Sequence, residues 1–251
     1  MPRQLAVVVM AAGKGTRMNN PSMAKVMYTI NDRPMVEWVV DLAVRMDASR
    51  TVVIVGWQKD AVIGHMAATH PRVTCVEQNP QLGTGHAVMQ AEAPLRDFAG
   101  DVLVLSGDVP MLTEKTTRAL IDAHRSSGAA ATVLTVVLGD PTGYGRIQRE
   151  RPGGPVAGIV EQKDASPEQR SIREINTGIY AFDARQLFDG LRHITTDNAQ
   201  HEYYLTDVFR HFWRNKLPVA AVVADDPREV AGINTPAQLE EARRLLAGRG
   251  S

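Results

Sequence analysis

The segment LAVVVMAAGKGTRM, residues 5–18, places an apolar run directly before a loop that holds two glycines, a lysine and an arginine. Three structures fit it: a short secretory signal, a buried strand ending in a glycine turn, or a strand leading into a phosphate-binding loop. In such a loop, backbone N–H groups and basic side chains face an anion. The apolar stretch 5–12 is at the short end for a signal and far too short to cross a bilayer.

The glycine spacing alone does not decide between these structures. It differs from G-x-x-x-x-G-K-[ST], which excludes a Walker P-loop, and Met18 stands where G-x-G-x-x-G requires its third glycine. A lone G-x-G is a weak signal, so the rest of the chain has to identify the loop.

Composition excludes several classes of function. The 251 residues include 28 basic and 28 acidic side chains, so no broad basic surface is expected for nucleic acid or an anionic membrane. The single cysteine, Cys75, cannot form a disulfide within the chain, which favours a cytoplasmic enzyme. We therefore expect a cytoplasmic protein with no nucleic-acid or membrane partner, in which any phosphate site is a local cluster of charges.

Strand and helix patterns alternate through the first half of the chain. Predicted strands lie at 6–10, 51–55, 73–77, 101–106 and 132–138, with helices at 34–46, 60–68, 84–91 and 113–127. Asp60, Thr84 and Thr113 are the predicted N-caps of the last three helices. This order predicts an α/β fold with a Rossmann-like, mixed but mostly parallel sheet flanked by helices.

The pattern changes after about residue 140. The later predicted elements are two short strands joined by a turn at 151–155, a strand at 174–182, helices at 184–191 and 203–214, a strand at 219–223 and a helix at 235–246. We expect one domain over 1–251, in which about 1–140 forms the larger part and about 141–230 a smaller lobe on the same sheet.

Three glycine-containing segments lie beyond the carboxyl ends of predicted strands. They are Gly13–Gly15, GDVP at 107–110 and LGTG at 82–85. Ligands of open α/β sheets bind beyond the carboxyl ends of the strands, so we expect these segments to meet around one site.

The charged residues near these loops suit a polyphosphate and its metal. Arg17 can clamp outer phosphates bidentately, and Lys25 can reach an inner phosphate as a point charge. Asp108 is placed to hold Mg²⁺ between phosphates, with Asn234 as a second ligand. The alternatives are solvated surface cations for the first pair and turn or helix capping for the second.

Neutral groups complete the predicted site. Gln78 beside the backbone of Gly83 can offer a nucleobase complementary donors and acceptors, although the same loop can simply cap the next helix. No nucleophile–His–acid set and no zinc-ligand spacing are present in the sequence. The chemistry indicated is positioning and electrostatic stabilisation of an in-line attack, without a covalent intermediate.

Three residues of the second half are candidates for a sugar. Glu161 and Asn176 can hydrogen-bond sugar hydroxyls, and the backbone near Gly145 can meet an amide or hydroxyl. The alternative for Glu161 is a strand-end carboxylate paired with Lys163 or Arg146.

Together these segments resemble the sugar-1-phosphate nucleotidyltransferases. More narrowly, they resemble the uridylyltransferase half of bacterial bifunctional N-acetylglucosamine-1-phosphate uridylyltransferase/glucosamine-1-phosphate acetyltransferases. The matching stretches, from about residue 5 to about residue 240, are AAGKGTRM, QLGTGHAV, GDVP, PTGYGRI, VEQKDA, EINTGI, EYYLTD and GIN. The first marks the whole superfamily, whereas QLGTGHA, GYGRI, VEQKDA and EINTG together favour this subfamily over thymidylyl-, guanylyl- or cytidylyltransferases.

The resemblance implies a reaction of UTP with N-acetylglucosamine 1-phosphate to give UDP-N-acetylglucosamine and pyrophosphate, assisted by Mg²⁺, which supplies peptidoglycan and cell-wall synthesis. The implied residues are Ala11, Ala12, Gly13, Gln78, Gly83 and Thr84 for the nucleoside, Lys14, Arg17 and Lys25 along the phosphates with Arg17 and Lys25 catalytic, Asp108 and Asn234 for the metal, and Gly145, Glu161, Asn176 and Thr177 for the sugar. The alternatives are uridylyl or thymidylyl transfer to another sugar 1-phosphate, or a non-catalytic subunit that senses sugar nucleotides.

The chain departs from the family pattern in three places. Ala24 stands where the family usually has proline before the phosphate lysine, and Ser106 replaces a frequent tyrosine, which removes an aromatic wall. The hexapeptide repeats of the family's acetyltransferase β-helix do not occur. We therefore expect no acetyltransfer and a monomer or small homo-oligomer.

Overall fold

The computed structural model describes residues 3–18, 20 and 22–247. The strands are β1 (Gln4–Ala11), β2 (Thr29–Ile30), β3 (Arg33–Pro34), β4 (Arg50–Val55), β5 (Thr74–Glu77), β6 (Gly100–Ser106), β7 (Ala131–Val137), β8 (Arg146–Arg149), β9 (Val156–Val160), β10 (Glu174–Asp183) and β11 (Val219–Val223). The helices are α1 (Met35–Arg45), α2 (Lys59–Thr69), α3 (Thr84–Met89), α4 (Glu114–Ser127), α5 (Pro167–Arg170), α6 (Ala184–Leu191), α7 (Asp207–Arg214) and α8 (Pro236–Ala247).

The main sheet has the strand order β11-β7-β10-β6-β1-β4-β5. β1 is parallel to both β4 and β6, β4 is parallel to β5, and β7 is parallel to β11. β10 is antiparallel to both of its neighbours in this order, β6 and β7. The antiparallel β8–β9 hairpin also pairs with β10, through Arg146 and Ile175. The prediction of a mixed, mostly parallel sheet flanked by helices is therefore confirmed.

β1 is apolar throughout because both of its faces are covered. Val7 and Val9 pack into one core cluster, which includes residues of α1, whereas Ala6 and Val8 pack into the opposite one, which includes residues of α3 and α6. All four side chains have 0% exposure. A central parallel strand with helices on both sides needs this continuous apolar run, and its loop therefore emerges at the middle of the sheet edge.

Helix starts show where local signals were sufficient and where they were not. Thr113 caps α4 as predicted, because its Oγ1 accepts from the N–H of Thr116 at 3.3 Å. The prediction of Asp60 as the cap of α2 is wrong. Gln58 holds that position in the left-handed conformation, with φ of 52°, so α2 already begins at Lys59.

Tertiary contacts override two further predictions. Gly83, and not Thr84, is the N-cap of α3, because the Thr84 hydroxyl instead accepts from the N–H of Leu205 at 3.1 Å. The helix predicted over 203–214 begins only at Asp207. The residues before it lie beside the start of α3, and their backbone groups form hydrogen bonds with that segment.

The small elements that were not predicted include the β2–β3 hairpin and the four-residue α5. In the ranges 3–18, 20 and 22–247, no helix combines the length and apolarity that crossing a membrane requires.

Candidate active site

A cavity of about 820 Å³ lies at the carboxyl edge of the sheet, among the loops that follow β1, β4, β5 and β6. Nine of the predicted site residues line it, namely Ala11, Ala12, Gly13, Lys14, Lys25, Gln78, Gly83, Thr84 and Asp108. The location is the one that the parallel topology predicts for a ligand.

Four charged and polar side chains form a connected cluster at this edge. The ammonium of Lys25 donates to Asp108 Oδ2 and, at 3.0 Å, to Asn234 Oδ1. The guanidinium of Arg17 donates to the same Asn234 Oδ1 at 2.8 Å. The structure therefore brings together residues from the first loop, the turn after β6 and the segment before α8.

Gly15 allows Lys25 to reach this cluster. Gly15 has a φ of 61°, in the left-handed region that favours glycine, and a Cβ at this position would lie 2.5 Å from the Cβ of Lys25. A Cβ on Gly13 would have nothing within 4 Å. The loop is thus packed against the lysine on one side and open beside Gly13.

Asn234 is available to the site because its neighbour caps the helix. Thr235 Oγ1 accepts from the N–H of Gln238 at 3.2 Å, while Gln238 Oε1 accepts from the N–H groups of Asn234 and Thr235. The N–H of Ile233 donates to the carbonyl of Asp108 at 2.9 Å. This backbone bond fixes the segment before α8 next to the turn after β6.

The donor set of the cluster fits a magnesium ion. Asp108 and Asn234 each present a hard oxygen atom, and both atoms already converge on one cation, the ammonium of Lys25. Magnesium in proteins is commonly held by one or two such oxygen ligands, with substrate phosphates and water supplying the others. These two residues are therefore suited to hold Mg²⁺ beside a phosphate.

Gln78 lies in the wall of the cavity and is only 5% exposed. Its Nε2 donates to the carbonyl of Gly83 at 2.9 Å and lies 3.2 Å from His86 Nδ1. Among the described residues no group donates to its Oε1, which leaves an acceptor for a ligand. Gly83 has a φ of 105°, and a Cβ there would lie 2.6 Å from the carbonyl oxygen of Tyr203, so only glycine fits.

Two further residues of the cavity wall were missed by the sequence analysis. Gln81 Nε2 donates to the carbonyl of Ala12, which also accepts from the N–H of Trp57 at 3.2 Å. The Lys14 ammonium lies 5.5 Å from the centroid of a Trp57 ring. Gln81 and Trp57 follow β5 and β4, so the rule that drew attention to the glycine loops could also have found them.

In the segment predicted to form the smaller lobe, the three candidate sugar ligands lie close together. A Cβ on Gly145 would lie 3.3 Å from Glu161 Oε2 and 3.4 Å from the Cβ of Asn176. The N–H of Asn176 also donates to the carbonyl of Gly145 at 2.9 Å. The absence of a side chain at Gly145 leaves these two polar groups adjacent.

The alternative pairing of Glu161 with Lys163 or Arg146 is wrong. Glu161 Oε1 accepts from the hydroxyl of Thr206 at 2.9 Å, and burial raises the pKa of the Glu161 carboxyl. The buried guanidinium of Arg146 instead donates to Gln162 Oε1 at 2.7 Å. A carboxylate without a cationic partner keeps its acceptor capacity for a ligand hydroxyl.

The other two predicted sugar residues are already engaged within the protein. Asn176 Nδ2 donates to the hydroxyl of Tyr180 at 2.8 Å, which orients the amide. The hydroxyl of Thr177 donates to the carbonyl of Leu134 on β7 at 2.7 Å. Thr177 therefore directs its hydroxyl proton into the sheet.

Ser106 connects this lobe with the cavity. It lines the cavity at the end of β6, and a Cβ on Gly178 would lie 3.4 Å from its Oγ. The N–H of Gly178 in turn donates to Asn176 Oδ1 at 3.1 Å. Gly178 and Asn176 therefore lie near the end of β6, although Gly145, Glu161, Asn176 and Thr177 do not themselves line the cavity.

Comparisons with known proteins agree with this architecture. The nucleotidyl transferase family model matches residues 6–228. The chain is 49% identical over 245 residues to the bifunctional protein GlmU of Geobacter metallireducens, covering 98% of this chain and 51% of that protein. It is 47% identical over 248 residues to the bifunctional protein GlmU of Streptomyces coelicolor, again covering 98% and 51%. The chain thus spans about half the length of the curated relatives it matches.

One solved structure shares the fold at low identity. The crystal structure of UDP-glucose pyrophosphorylase complexed with UDP-glucose aligns with a TM-score of 0.77 and 16% identity, covering 98% of this chain and 99% of that one.

Proposed function

The chain belongs to the nucleotidyl transferase family, and from this we propose that it transfers the uridylyl group of UTP to N-acetylglucosamine 1-phosphate. The products are UDP-N-acetylglucosamine and pyrophosphate. One observation carries the proposal: the ammonium of Lys25 joins Asp108 and Asn234 at the cavity. A cation bound to two metal-type oxygen ligands beside a glycine loop is suited to polyphosphate chemistry.

In this proposal the part at about 1–140 holds the nucleotide. The loop backbone at 11–13, the free Oε1 of Gln78, and the segment of Gly83 and Thr84 hold uracil and ribose. Lys14 and Arg17 extend along the phosphates, since both are exposed cations on the loop that borders the cavity. The open space beside Gly13 supports a close approach of ligand to backbone.

The lobe at about 141–230 holds the sugar in this proposal. Glu161 accepts a hydrogen bond from a sugar hydroxyl, and the buried setting strengthens that bond. Asn176, fixed by Tyr180, donates or accepts beside it, with Gly145 and Thr177 completing the surface.

The residues promote an in-line displacement. A phosphate oxygen of the sugar attacks the α-phosphorus of UTP, and pyrophosphate leaves on the opposite side. Lys25 and Arg17 stabilise the negative charge that spreads over the phosphoryl oxygens. Mg²⁺ held by Asp108 and Asn234 would supply further neutralisation of that charge.

The same proposal extends to the setting of the enzyme. Mg²⁺ is the cofactor, and the product supplies peptidoglycan synthesis in the cytoplasm. The enzyme acts as a monomer or a small homo-oligomer.

A coupled pyrophosphate assay across the four nucleoside triphosphates and several sugar 1-phosphates tests the proposal. We expect release only with UTP, N-acetylglucosamine 1-phosphate and Mg²⁺ together. Lys25→Ala should lower kcat/KM by about a hundredfold or more. Lys115→Ala removes an equal charge from the exposed surface of α4 and should leave the rate unchanged.

Other results of this assay would replace the proposal. Activity confined to glucose 1-phosphate would assign a different sugar. Tight binding of UDP-N-acetylglucosamine without turnover under any of these conditions would indicate a sensing subunit.

A further inference from the structure

We propose that, before a nucleotide binds, Lys25 occupies the oxygen ligands intended for the divalent cation, so that the cation binds only together with nucleotide phosphates. This inference rests on the proposed function, because it concerns the same ligands, Asp108 and Asn234. It adds an order of events that neither the reaction nor the fold requires.

The protein's own cations already engage one oxygen of each ligand residue. Asn234 Oδ1 accepts from Lys25 at 3.0 Å and from Arg17 at 2.8 Å. An amide oxygen has two lone pairs, so these two bonds use both. Asp108 Oδ2 accepts from the same Lys25 ammonium, which neutralises the carboxylate but leaves its other acceptor sites open. A divalent cation arriving alone therefore meets an occupied amide oxygen and a carboxylate whose charge is already paired with Lys25.

Repulsion adds to this occupancy. The side chains of Lys25 and Asp108 are each only 15% exposed, so their charges are weakly screened by solvent. A divalent cation entering while Lys25 remains would lie within a few ångströms of a positive charge. The ammonium and the cation therefore compete for this pair of residues.

The phosphate loop supplies the means of moving the lysine. Gly15 lies so close to Lys25 that a Cβ on it would lie 2.5 Å from the lysine Cβ, while Gly13 on the same loop borders open space. A polyphosphate placed along this loop offers the ammonium several charged oxygens in exchange for one carboxylate. Drawing Lys25 toward the phosphates frees Asp108 and one lone pair of Asn234.

The two ligands should therefore strengthen each other's binding. If nucleotide raises the affinity for the cation by releasing Lys25, the cation must raise the affinity for nucleotide by the same factor. Removal of the Lys25 charge should uncouple them and leave a site that binds the cation by itself.

Binding of Mn²⁺ without nucleotide, followed by the electron paramagnetic resonance of free Mn²⁺, tests the proposal on the full chain. We expect Lys25→Met to bind Mn²⁺ at least about tenfold more tightly than the unchanged chain, equivalent to about 1.4 kcal/mol. Lys14→Met is the matched control. It removes one positive charge from the same region, but Lys14 contacts Trp57 and none of the cation ligands. Its Mn²⁺ affinity should stay within about twofold.

Further variants keep the test decisive. Lys25→Gln replaces Lys25→Met if the latter fails to fold, with the same expected gain. Adding Asp108→Asn to either variant should abolish the gain. Equal Mn²⁺ affinity for the unchanged chain and both Lys25 variants would overturn the proposal, as would an equal gain in Lys14→Met.

Failure of the proposed function would look different. In that case the Lys25 variants would still bind Mn²⁺ more tightly, but UTP would not raise the Mn²⁺ affinity of the unchanged chain. That result would support the occupancy of the ligands by Lys25 and would count against UTP as the molecule that releases it.

Discussion

Strand β6 carries an aspartate cluster at each end, and the two clusters differ in what surrounds the carboxylate. Asp101, near the start of the strand, is fully buried, with Arg3 Nε at 2.6 Å, Arg125 Nε at 2.7 Å and His124 Nε2 at 3.6 Å. Asp108, just beyond the end, borders the cavity and is joined to Lys25. The Asp101 carboxylate is buried beneath its partners beside a cavity of about 180 Å³, whereas Asp108 borders the cavity of about 820 Å³.

The partners differ in permanence. Burial by itself would raise the pKa of Asp101, but hydrogen bonds from His124 and Arg125 and the charge of Arg3 hold that pKa below its usual range. Arg125 is itself fixed by a bond to the carbonyl of Arg3 at 2.9 Å. Asp108 shares its cation with an amide, an arrangement that a metal ion can replace. Of two similar clusters on one strand, we therefore assign the one with the buried carboxylate to stability and the one at the larger cavity to chemistry.

The largest expected effect is a loss of catalytic rate on substitution of Asp108. Asp108→Asn should lower the rate of pyrophosphate release by about 10²–10³-fold, because the proposed metal ligand loses its charge. The same variant should shift the melting temperature by less than about 3 °C, since the side chain borders the cavity. A full rate with normal Mg²⁺ dependence would remove Asp108 from the site.

The matched substitution of Asp101 should lower stability and leave the catalytic rate nearly unchanged. Asp101→Asn removes the buried carboxylate that pairs with Arg3 and Arg125. Because these two side chains are 46% and 35% exposed, solvent screens the charges left behind, and the free energy of unfolding should fall by about 2 kcal/mol. Urea denaturation measures this loss. The turnover number, measured at a temperature where the variant is folded, should stay within about twofold. A large loss of turnover with unchanged stability would refute the comparison.

Two glycines of the phosphate loop sharpen the comparison within the open region. Gly15→Ala combines a positive φ with a clash against Lys25 and should lower the free energy of unfolding by about 1–2 kcal/mol. Gly13→Ala meets no neighbouring atom and should change it by less than about 0.5 kcal/mol. Chemical denaturation of the two variants side by side checks the difference. Equal losses would mean that the loop is not held against Lys25.

The smallest effect is the pH dependence of the closed cluster. The pKa of Asp101 is lower in the folded chain than in the unfolded one, so its ionised form stabilises the fold above the unfolded pKa. The stability gap between the unchanged chain and Asp101→Asn should be constant above about pH 5 and shrink as the pH falls below about 4. Urea titrations at several pH values measure this gap. A gap that widens toward low pH would contradict the assignment.

Much of the fold followed from local patterns. The uninterrupted apolar run of β1 predicts a strand covered on both faces, and the alternating strands and helices predict a mostly parallel sheet. The antiparallel insertion of β10 between β6 and β7 could not be predicted, because it depends on pairing between distant segments. The predicted cap of α3 was wrong for the same reason, because the hydroxyl of Thr84 accepts a hydrogen bond from the N–H of the distant Leu205.

The candidate site likewise has features that could be predicted from the sequence and features that could not. The rule that ligands bind beyond the carboxyl ends of strands predicted that the loops of Gly13, Gly83 and Asp108 meet, and all three residues line one cavity. That rule does not predict hydrogen bonds between residues that are far apart in the sequence. Thr206 as the partner of Glu161, and Gln81 over the carbonyl of Ala12, depend on how separate loops pack.

A crystal structure with UDP-N-acetylglucosamine and Mn²⁺, in which anomalous scattering locates the metal, tests the central claim most directly. We predict a Mn²⁺ peak bound by the oxygens of Asp108 and Asn234, with uracil beside Gln78 and the Lys25 ammonium on a phosphate oxygen. A nucleotide outside the cavity, or a metal elsewhere while Lys25 keeps its bond to Asp108, would contradict the account.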